Sequence, residues 1–474
     1  MQSTTSRPRI TVTADGDGVA SHAGSRLLAD LADRTGLTGF LGEAVGGLRR
    51  RRSGHDPGRV LVDVAVMLAD GGRGISGLAV LRDRPELFGS VASTATAWRV
   101  LDGVDTALLE AVRAARARAR ERLWAQREAT VGPIRASAAG GRDWPGLRLV
   151  IDATLVTCHS EKGGASASFK GGFGYHPLTV WLDNTNEALA ALQRTGRAGS
   201  NTAADHIAVT DLALAQIPEP ARYGTPILIS ADGAGSTKDW LTHLRGLRET
   251  GLDLRFSVGF TATEAVQAAI RALPECAWTP AIEADGTRRE GADVAELTGL
   301  LPGLTAAGWP VGMRVIVRRE RPHPGVQLRF TDHDGWRFQT FATDTPPGYH
   351  GGAGGGLAQL EARHRAHARV EDRIRCAKDT GLGHPPSREY KINQAWLELT
   401  LMACDLIAWT QTTLLEGDLA RAEPRLLRYK LLHAAARLTR GQRRLFLRID
   451  AGWPWRHALA AAFARLQTLP LPAT

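Results

Sequence analysis

Two aspartates follow short apolar runs in this sequence. Asp152 ends the run Leu147-Arg-Leu-Val-Ile-Asp152, and Asp232 ends the run Pro226-Ile-Leu-Ile-Ser-Ala-Asp232. Each run has the composition of a buried strand, so each carboxylate is expected at the end of a rigid backbone. Neighbouring carboxylates repel unless a cation compensates, and Mg²⁺ prefers oxygen ligands while leaving positions open for phosphate. The pair therefore predicts a divalent-cation site, although a single strand-ending aspartate equally serves as a turn or helix cap.

A third acid lies on a predicted helix over residues 357–378. His364, His367, Glu371 and Lys378 follow one another at offsets of 3, 7 and 14 from the first histidine. At 3.6 residues per turn these four side chains fall within an arc of roughly 60°. This face can supply a metal ligand together with groups that contact phosphate. The helix is also strongly basic, through Arg365, Arg369, Arg373 and Arg375.

Three alternatives compete with this interpretation of the helix. It can be a solvated helix laced with ion pairs, or its two histidines and Glu371 can bind zinc. The surrounding arginines oppose a bound cation and so disfavour zinc. Other acids also compete for the third position, and we keep them open: Glu361, Asp372, Glu398 and Asp405.

Composition indicates a polyanionic partner. The 474 residues carry 59 Lys and Arg against 49 Asp and Glu, a net charge of +10, and most of the cations are arginine. Arginine presents a planar fork of donors that suits phosphate oxygens, so DNA or RNA is expected first. The alternative is that heavy use of Ala, Arg and Gly only reflects a GC-rich genome.

Cysteine usage and hydropathy predict a cytoplasmic protein that does not enter a membrane. The four cysteines are scattered without a CxxC pair, which fits a reducing compartment. The first residues contain no apolar segment of a signal peptide. The most apolar stretch, residues 396–415, carries Glu398 and Asp405, so it predicts a buried helix.

Local patterns predict an α/β protein in five segments. Helical periodicity dominates the N-terminal part, apolar runs alternate with helical patterns in the middle, and strand alternation with a turn follows. The predicted segments are a helical N-terminal DNA-binding region (1–140), a first part of a mixed-sheet catalytic core (145–261), a β-rich insertion (262–352), a second core part with the catalytic helix (353–415) and a basic C-terminal region (416–474).

The helical N-terminal region carries two arginine-rich patches. One is the run of arginines at 49–52, and the other is a helix over residues 107–124 with five arginines and few acids. A solvated helix face is the ordinary interpretation, but the shortage of acidic partners favours contact with phosphate. The candidate DNA-binding residues here are Arg49, Arg50, Arg113, Arg116 and Arg120.

The order of Asp152, Asp232 and Glu371 resembles that of the DDE transposases. The first gap is 80 residues and the second 139, and the predicted strands in the second gap resemble the β-rich insertion of insertion-sequence transposases. Those proteins carry a Tyr, Arg, Glu and Lys signature at the same spacing, at which this chain has His364, His367, Glu371 and Lys378. Two short segments look like the insertion sequence 1380 family: Phe173-Gly-Tyr-His-Pro177 and Trp453-Pro-Trp455.

The resemblance implies a fold, a cofactor and a reaction. It implies an RNase H-like core in which Asp152, Asp232 and Glu371 bind two Mg²⁺ (or Mn²⁺) ions. Water then attacks a phosphodiester at a transposon end, and the freed 3′-OH attacks target DNA. The expected partner is double-stranded DNA held by a homodimer in a bacterial cytoplasm. The expected phosphate contacts are His364, His367, Lys378, Arg369 and Arg375.

Other functions share parts of this pattern. A structure-specific nuclease of the same fold has the same acids and metals but performs no strand transfer. A DNA-binding protein descended from a transposase performs neither reaction. A glycosidase with paired carboxylates is disfavoured by the basic helix and by an aromatic content of 6%.

Overall fold

The computed structural model describes residues 17–49, 54–199, 202–323, 332–348, 356–441 and 443–470, with positions 11, 13, 14, 325 and 327. Arg50 lies outside the described residues. Among those described, no helix combines the length and the apolar composition needed to cross a membrane.

The described part of the chain contains twelve helices of eight or more residues. They are α1 (Arg26–Arg34), α2 (Leu37–Val45), α3 (Pro57–Ala69), α4 (Thr94–Gly103), α5 (Thr106–Thr130), α6 (Ala203–Ala215), α7 (Lys238–Gly246), α8 (Glu264–Arg271), α9 (Leu357–Arg365), α10 (Arg369–Ala377), α11 (Tyr390–Leu414) and α12 (Arg456–Thr468).

A nine-stranded mixed sheet forms the centre of the molecule. Its strands are β1 (Leu147–Ala153), β2 (Leu178–Leu182), β3 (Ala188–Leu192), β4 (Ile227–Ala231), β5 (Leu254–Phe260), β6 (Thr279–Ile282), β7 (Arg288–Glu296), β8 (Arg314–Glu320) and β9 (Arg337–Thr343). Across the sheet they run in the order β6-β7-β8-β9-β5-β4-β1-β2-β3. Strands β1, β4 and β5 are mutually parallel, whereas the remaining neighbours pair antiparallel. The chain is therefore a mixed α/β protein, as its apolar runs predict.

Both faces of the central strands are buried. In β1, Leu149 and Ile151 point to a core shared with α6 and α7, while Val150 points to a second core shared with α10 and α11. This division follows from the two-residue period of a strand. Burial on both faces explains why β1 and β4 have mainly apolar sequences.

The β-rich segment after α8 extends the central sheet. Strand β9 pairs antiparallel with β5, with Val258 opposite Ala342, and β8, β7 and β6 follow in turn. This pairing satisfies the backbone groups that β5 would otherwise expose at a sheet edge. The segment predicted as an insertion at 262–352 thus contributes strands to the same sheet as the predicted catalytic core.

The N-terminal helices and the C-terminal region share one hydrophobic core. Side chains of α1 to α5 pack with α11 and α12 around a single cluster. A small sheet adds to this connection, because Val19 pairs with Arg437 in a strand that continues into a hairpin (Ala436–Gly441 and Arg444–Ile449). The position predicted as a segment boundary, 415/416, therefore lies inside a continuous packed body.

Two of the arginines predicted to bind DNA are buried inside this body. Arg116 is 1% exposed and its Nη1 donates to Oε1 of Glu398 at 2.5 Å, and Arg120 is fully buried and donates to Glu187 at 2.6 Å. Both also lie in ion pairs with Asp405. The prediction that Arg116 and Arg120 contact DNA is wrong, because they pin α5 to β3 and α11.

The other two described arginines of this group differ in exposure. The Arg113 side chain is 22% exposed and its Nε donates to Glu398 at 3.1 Å, so it belongs to the edge of the same buried network. Arg49 is exposed and its Nη2 donates to the main-chain oxygen of Gly54. Of these two, Arg49 is exposed and Arg113 is only partly exposed.

Candidate active site

The two predicted aspartates lie side by side at one edge of the sheet. Strands β1 and β4 are parallel neighbours, and their last paired residues are Ile151 and Ala231. Asp152 and Asp232 come directly after these residues, so the two aspartates occupy adjacent positions at the ends of neighbouring strands. The juxtaposition follows from strand register, which places the carboxyl ends of parallel neighbours at the same edge.

The local backbone holds each aspartate in place. Oδ1 of Asp152 accepts a hydrogen bond from the Ala153 amide at 2.7 Å, and Oδ1 of Asp232 accepts one from the Ala234 amide at 3.0 Å. The loop after Asp232 passes close to β5, where a Cβ on Gly259 would meet the Gly233 nitrogen at 2.6 Å. Only glycine at 259 therefore leaves room for the loop that carries Asp232.

Glu371 joins the pair from α10. This helix packs on the sheet through Val370, Ile374 and Ala377, which share a core with Val150. Glu371 itself is exposed, and it lines the same cleft as Asp232. A 3-10 turn over Ala366–Ala368 separates α9 from α10, so the predicted single helix is in fact two helices in succession.

The electrostatics of this edge favour a cation. Burial, and to a lesser extent the charges of Asp232 and Glu371, together raise the pKa of Asp152 to about 7. Among the described residues, none of the three carboxylates has a Lys, Arg or His nitrogen within 4.0 Å. Asp183 shows the opposite shift. Three arginines form ion pairs with it, and their charges lower its pKa although it is buried.

The donor set fits divalent ions that prefer oxygen. Three carboxylates without a paired cation supply oxygen ligands alone, which is the preference of Mg²⁺ and Mn²⁺. Among the described residues, the carboxylate oxygens of Asp152, Asp232 and Glu371 do not all lie within 4.8 Å of one another.

A cleft of about 630 Å³ opens at the acids. It runs between the end of β5, strand β9 and the helices α9 and α10. Its lining includes Asp232, Glu371, His364, His367 and Arg318. The cleft therefore brings two of the acids together with both histidines of the predicted helix face.

His364 is held as a neutral ring. Its Nδ1 lies 3.0 Å from Oγ of Ser257 on β5, and its ring stacks on Phe341 of β9 with centroids 4.5 Å apart and an interplanar angle of 6°. Burial lowers its pKa well below the ordinary value, and His367 and Arg148 lower it further. The side chain thus offers a hydrogen-bonding imidazole at neutral pH.

His367 is bound to the strand that carries Asp152. Its Nε2 lies 3.0 Å from the main-chain oxygen of Ile151, and since a carbonyl only accepts, Nε2 is the donor. Burial lowers the pKa of His367, although this hydrogen bond opposes the shift. The structure therefore gives His367 a contact within the protein, where the sequence predicted a phosphate contact.

Two lysines, Lys378 and Lys170, interact electrostatically with Asp152. Lys378 caps the end of α10, where burial lowers its pKa and the charge of Asp152 raises it. Lys170, in the loop before β2, lowers the pKa of Asp152. Lys378 was predicted at this site, whereas no pattern in the sequence singled out Lys170.

Arg369 and Arg375 do not reach the acids. Arg369 donates to the main-chain oxygen of Ala138 at 2.8 Å, and Arg375 donates to Glu423 at 2.7 Å. Both line a separate cavity of about 370 Å³, which contains none of the three acids. Their side chains are 41% and 50% exposed, so contact with DNA phosphate away from the acids stays a prediction for both arginines.

The competing acids have structural roles in the described chain. Glu398 and Asp405 are buried against Arg116, and Glu361 accepts from Arg318 at 2.8 Å. Asp372 is exposed and pairs with Arg375 at 3.2 Å. Glu361 and Glu371 both line the cleft that contains Asp232, but of these two described acids only Glu361 forms an ion pair.

Comparison with protein-family models assigns the chain to a family. The chain matches the family model described as transposase DDE domain, group 1, over residues 2–471, and it therefore belongs to that family. The search of curated proteins gave no match. A solved structure that resembles it is the cryo-EM structure of the piggyBac transposase synaptic complex with hairpin DNA, at a TM-score of 0.42 and 11% identity, over 86% of this chain and 80% of that chain.

Proposed function

We propose that this protein is a transposase that cuts and joins DNA with divalent ions held by Asp152, Asp232 and Glu371. The observation that carries the proposal is the register of β1 and β4, which makes Asp152 and Asp232 level. Glu371 approaches the same edge, and its charge acts on Asp152. Membership in a DDE transposase family supports the same reaction class.

The arrangement of the sheet supports an RNase H-like core. Strands β3, β2, β1, β4 and β5 lie side by side in that order, with β1, β4 and β5 parallel and β2 antiparallel. The first acid then ends the first strand of the core, and the second follows its fourth strand. The third acid lies on a helix that comes after the inserted strands β6 to β9.

The cofactor in this proposal is a pair of Mg²⁺ or Mn²⁺ ions. When bound, such ions polarise the attacking oxygen and stabilise the leaving oxygen in an in-line displacement. The chain supplies three carboxylates, and Asp152 must be ionised to act as a ligand. Since its pKa in the metal-free protein is about 7, cation binding and proton loss at Asp152 are linked.

The remaining side chains position DNA and the acids. Lys378 lies close enough to Asp152 to compensate part of the negative charge that a phosphate brings. His367 holds the end of β1 against α10. His364 presents a neutral donor or acceptor in the cleft, braced by Ser257 and Phe341.

The proposed substrate is double-stranded DNA, first at the transposon end and then in the target. Water attacks the phosphodiester and frees a 3′-OH, which attacks the target phosphodiester in the second step. Transposon ends come in pairs, so the proposed working unit is a homodimer that acts in a bacterial cytoplasm. The segments around Phe173 and Trp453 support placement in the insertion sequence 1380 family.

Strand cleavage and transfer test the proposal. Purified protein is mixed with Mg²⁺, a labelled fragment that carries the element's own ends, and a plasmid target. Joined product is expected from the native protein and from Asp372→Asn, the exposed neighbour of Glu371, and none from Asp232→Asn. Cleavage without joining would indicate a nuclease. Binding without either reaction, unchanged in Asp232→Asn, would show that the acids are structural.

A further inference from the structure

A second group of metal-ligand side chains lies away from the acids. His22, Asp70 and His433 place three ligand atoms within 4.8 Å of one another. Nδ1 of His22 lies 2.8 Å from Asp70 Oδ2, and Nε2 of His433 lies 3.3 Å from Asp70 Oδ1. The Asp70 carboxylate is buried, whereas the two imidazoles are partly exposed, so an ion from solvent can reach them.

The geometry points to a zinc site. We infer that His22, Asp70 and His433 bind one Zn²⁺ ion, with water in the fourth position. Tetrahedral zinc with bonds of about 2.0–2.1 Å separates its ligand atoms by about 3.4 Å, so small side-chain shifts suffice. Two imidazoles and a carboxylate favour zinc over magnesium, which selects oxygen ligands. This site would therefore select a different cation from the acids at the sheet edge.

Neighbouring groups orient the carboxylate. The hydroxyl of buried Ser25 donates to Oδ1 of Asp70, which is the kind of outer contact that fixes a metal ligand. The two rings lie side by side with centroids 4.1 Å apart. His22 adopts φ 56°, a left-handed conformation uncommon outside glycine, and this conformation aims its ring at Asp70.

Charges around the cluster limit its affinity. The Arg428 guanidinium lies near Asp70 and opposes a cation. Its donors nevertheless face other acceptors, including the main-chain oxygen of Ala69 at 2.8 Å and the hydroxyl of Thr380 at 2.9 Å. In the metal-free protein Nδ1 of His22 donates to the Asp70 carboxylate and Nε2 of His433 donates to the Asp70 main-chain oxygen at 2.9 Å, so each ring must carry its N–H on the other nitrogen before zinc can bind.

The bound ion would clamp three distant parts of the chain. His22 precedes α1, Asp70 caps the end of α3, and His433 lies in the C-terminal region. The same parts already meet through the hydrogen bond from the Ala23 amide to the Ala434 oxygen at 3.1 Å. A structural ion here would stabilise the helical body that packs against α11.

Zinc titration of the full-length protein tests this inference, which does not rest on the proposed function. Chelator-stripped protein is titrated with Zn²⁺ in competition with a coloured chelator, and unfolding is followed by heat. We expect one zinc equivalent and a higher unfolding midpoint with zinc. His22→Gln and His433→Gln should each weaken binding at least tenfold, because each removes one ligand.

Two control variants isolate the site. His243→Gln removes a partly exposed histidine that, among the described residues, pairs with one carboxylate, that of Asp211, at 2.9 Å, and Asp232→Asn disables the proposed catalytic site. Both should bind zinc as the native protein does. Absence of zinc binding by the native protein, or equal binding by His22→Gln and His433→Gln, would overturn the inference. Loss of zinc in Asp232→Asn would assign the ion to the acids and overturn it as well.

Discussion

Nε2 of His367 donates a hydrogen bond of 3.0 Å to the main-chain oxygen of Ile151, the residue immediately before Asp152. The helix that carries Glu371 is thereby tied to the strand that carries the first aspartate. The same imidazole is held neutral by burial. This hydrogen bond therefore acts together with the packing of Val370, Ile374 and Ala377 in setting the distance between two parts of the proposed metal site.

His367 is predicted to act by positioning. His367→Ala should lower the DNA cleavage rate about tenfold or more, because small displacements of reacting groups are costly, while DNA affinity changes little. His367→Gln, whose amide can donate to Ile151, should recover part of the rate. The measurement is single-turnover cleavage beside equilibrium DNA binding. A large loss of DNA affinity with a weaker salt dependence would indicate a phosphate contact instead.

Asp152 is predicted to make stability depend on pH and metal. Its pKa in the folded, metal-free protein is about 7, above the ordinary 3.8, so folding favours the protonated form. Its contribution to stability is therefore present at low pH and is lost as pH rises through about 4 to 7. At pH 8 we expect Asp152→Asn to raise the free energy of unfolding by on the order of 2 kcal/mol, and at pH 5, between the unfolded and folded pKa values, by roughly a third of that amount.

Urea unfolding at both pH values, with and without Mg²⁺, measures this effect. At pH 8 with added Mg²⁺, the native protein should be more stable than Asp152→Asn, because the native carboxylate then has a cation to bind. Asp239→Asn, an exposed acid on α7, is the matched control and should be neutral throughout. An equal gain for Asp152→Asn at pH 5 and pH 8 would contradict the raised pKa.

Lys378 is predicted to contribute charge to DNA binding. Lys378→Ala should weaken binding across DNA sequences and reduce the slope of log affinity against log salt by about 1. Lys391→Ala is the control, because this lysine is exposed and pairs with Asp102 at 2.8 Å. The measurement is a salt titration of DNA affinity. An unchanged slope would mean that Lys378 acts only on the charge of Asp152.

Arg116 is predicted to be a stability residue. Arg116→Met leaves Glu398 and Asp405 buried with less compensation, so we expect a loss of about 3–5 kcal/mol. Arg118→Met, on the exposed side of α5, removes a surface pair with Glu43 and should cost about 0–1 kcal/mol. Chemical denaturation compares the two variants. If the Arg116→Met protein were as stable as the native protein but bound DNA more weakly, Arg116 would be a DNA contact, as the sequence predicted.

The sequence by itself determined the candidate acids. Apolar runs identify the strands that end at Asp152 and Asp232, because burial on both sheet faces demands such runs. Helical spacing placed His364, His367 and Glu371 on one face, and all three line one cleft. These inferences succeed since strand and helix periods are local properties of the chain.

Tertiary structure decided which arginines are free to meet DNA. Arg116 and Arg120 look like a solvated basic face, because their partners Glu187, Glu398 and Asp405 are 67 to 285 positions away in sequence. The contacts that hold His364 are equally remote, since Ser257 is 107 positions away. The pairing of β9 with β5 likewise depends on a distant segment. The local sequence pattern indicates which face of a helix or strand is apolar. Only the folded chain determines which charged groups from distant parts of the sequence come into contact.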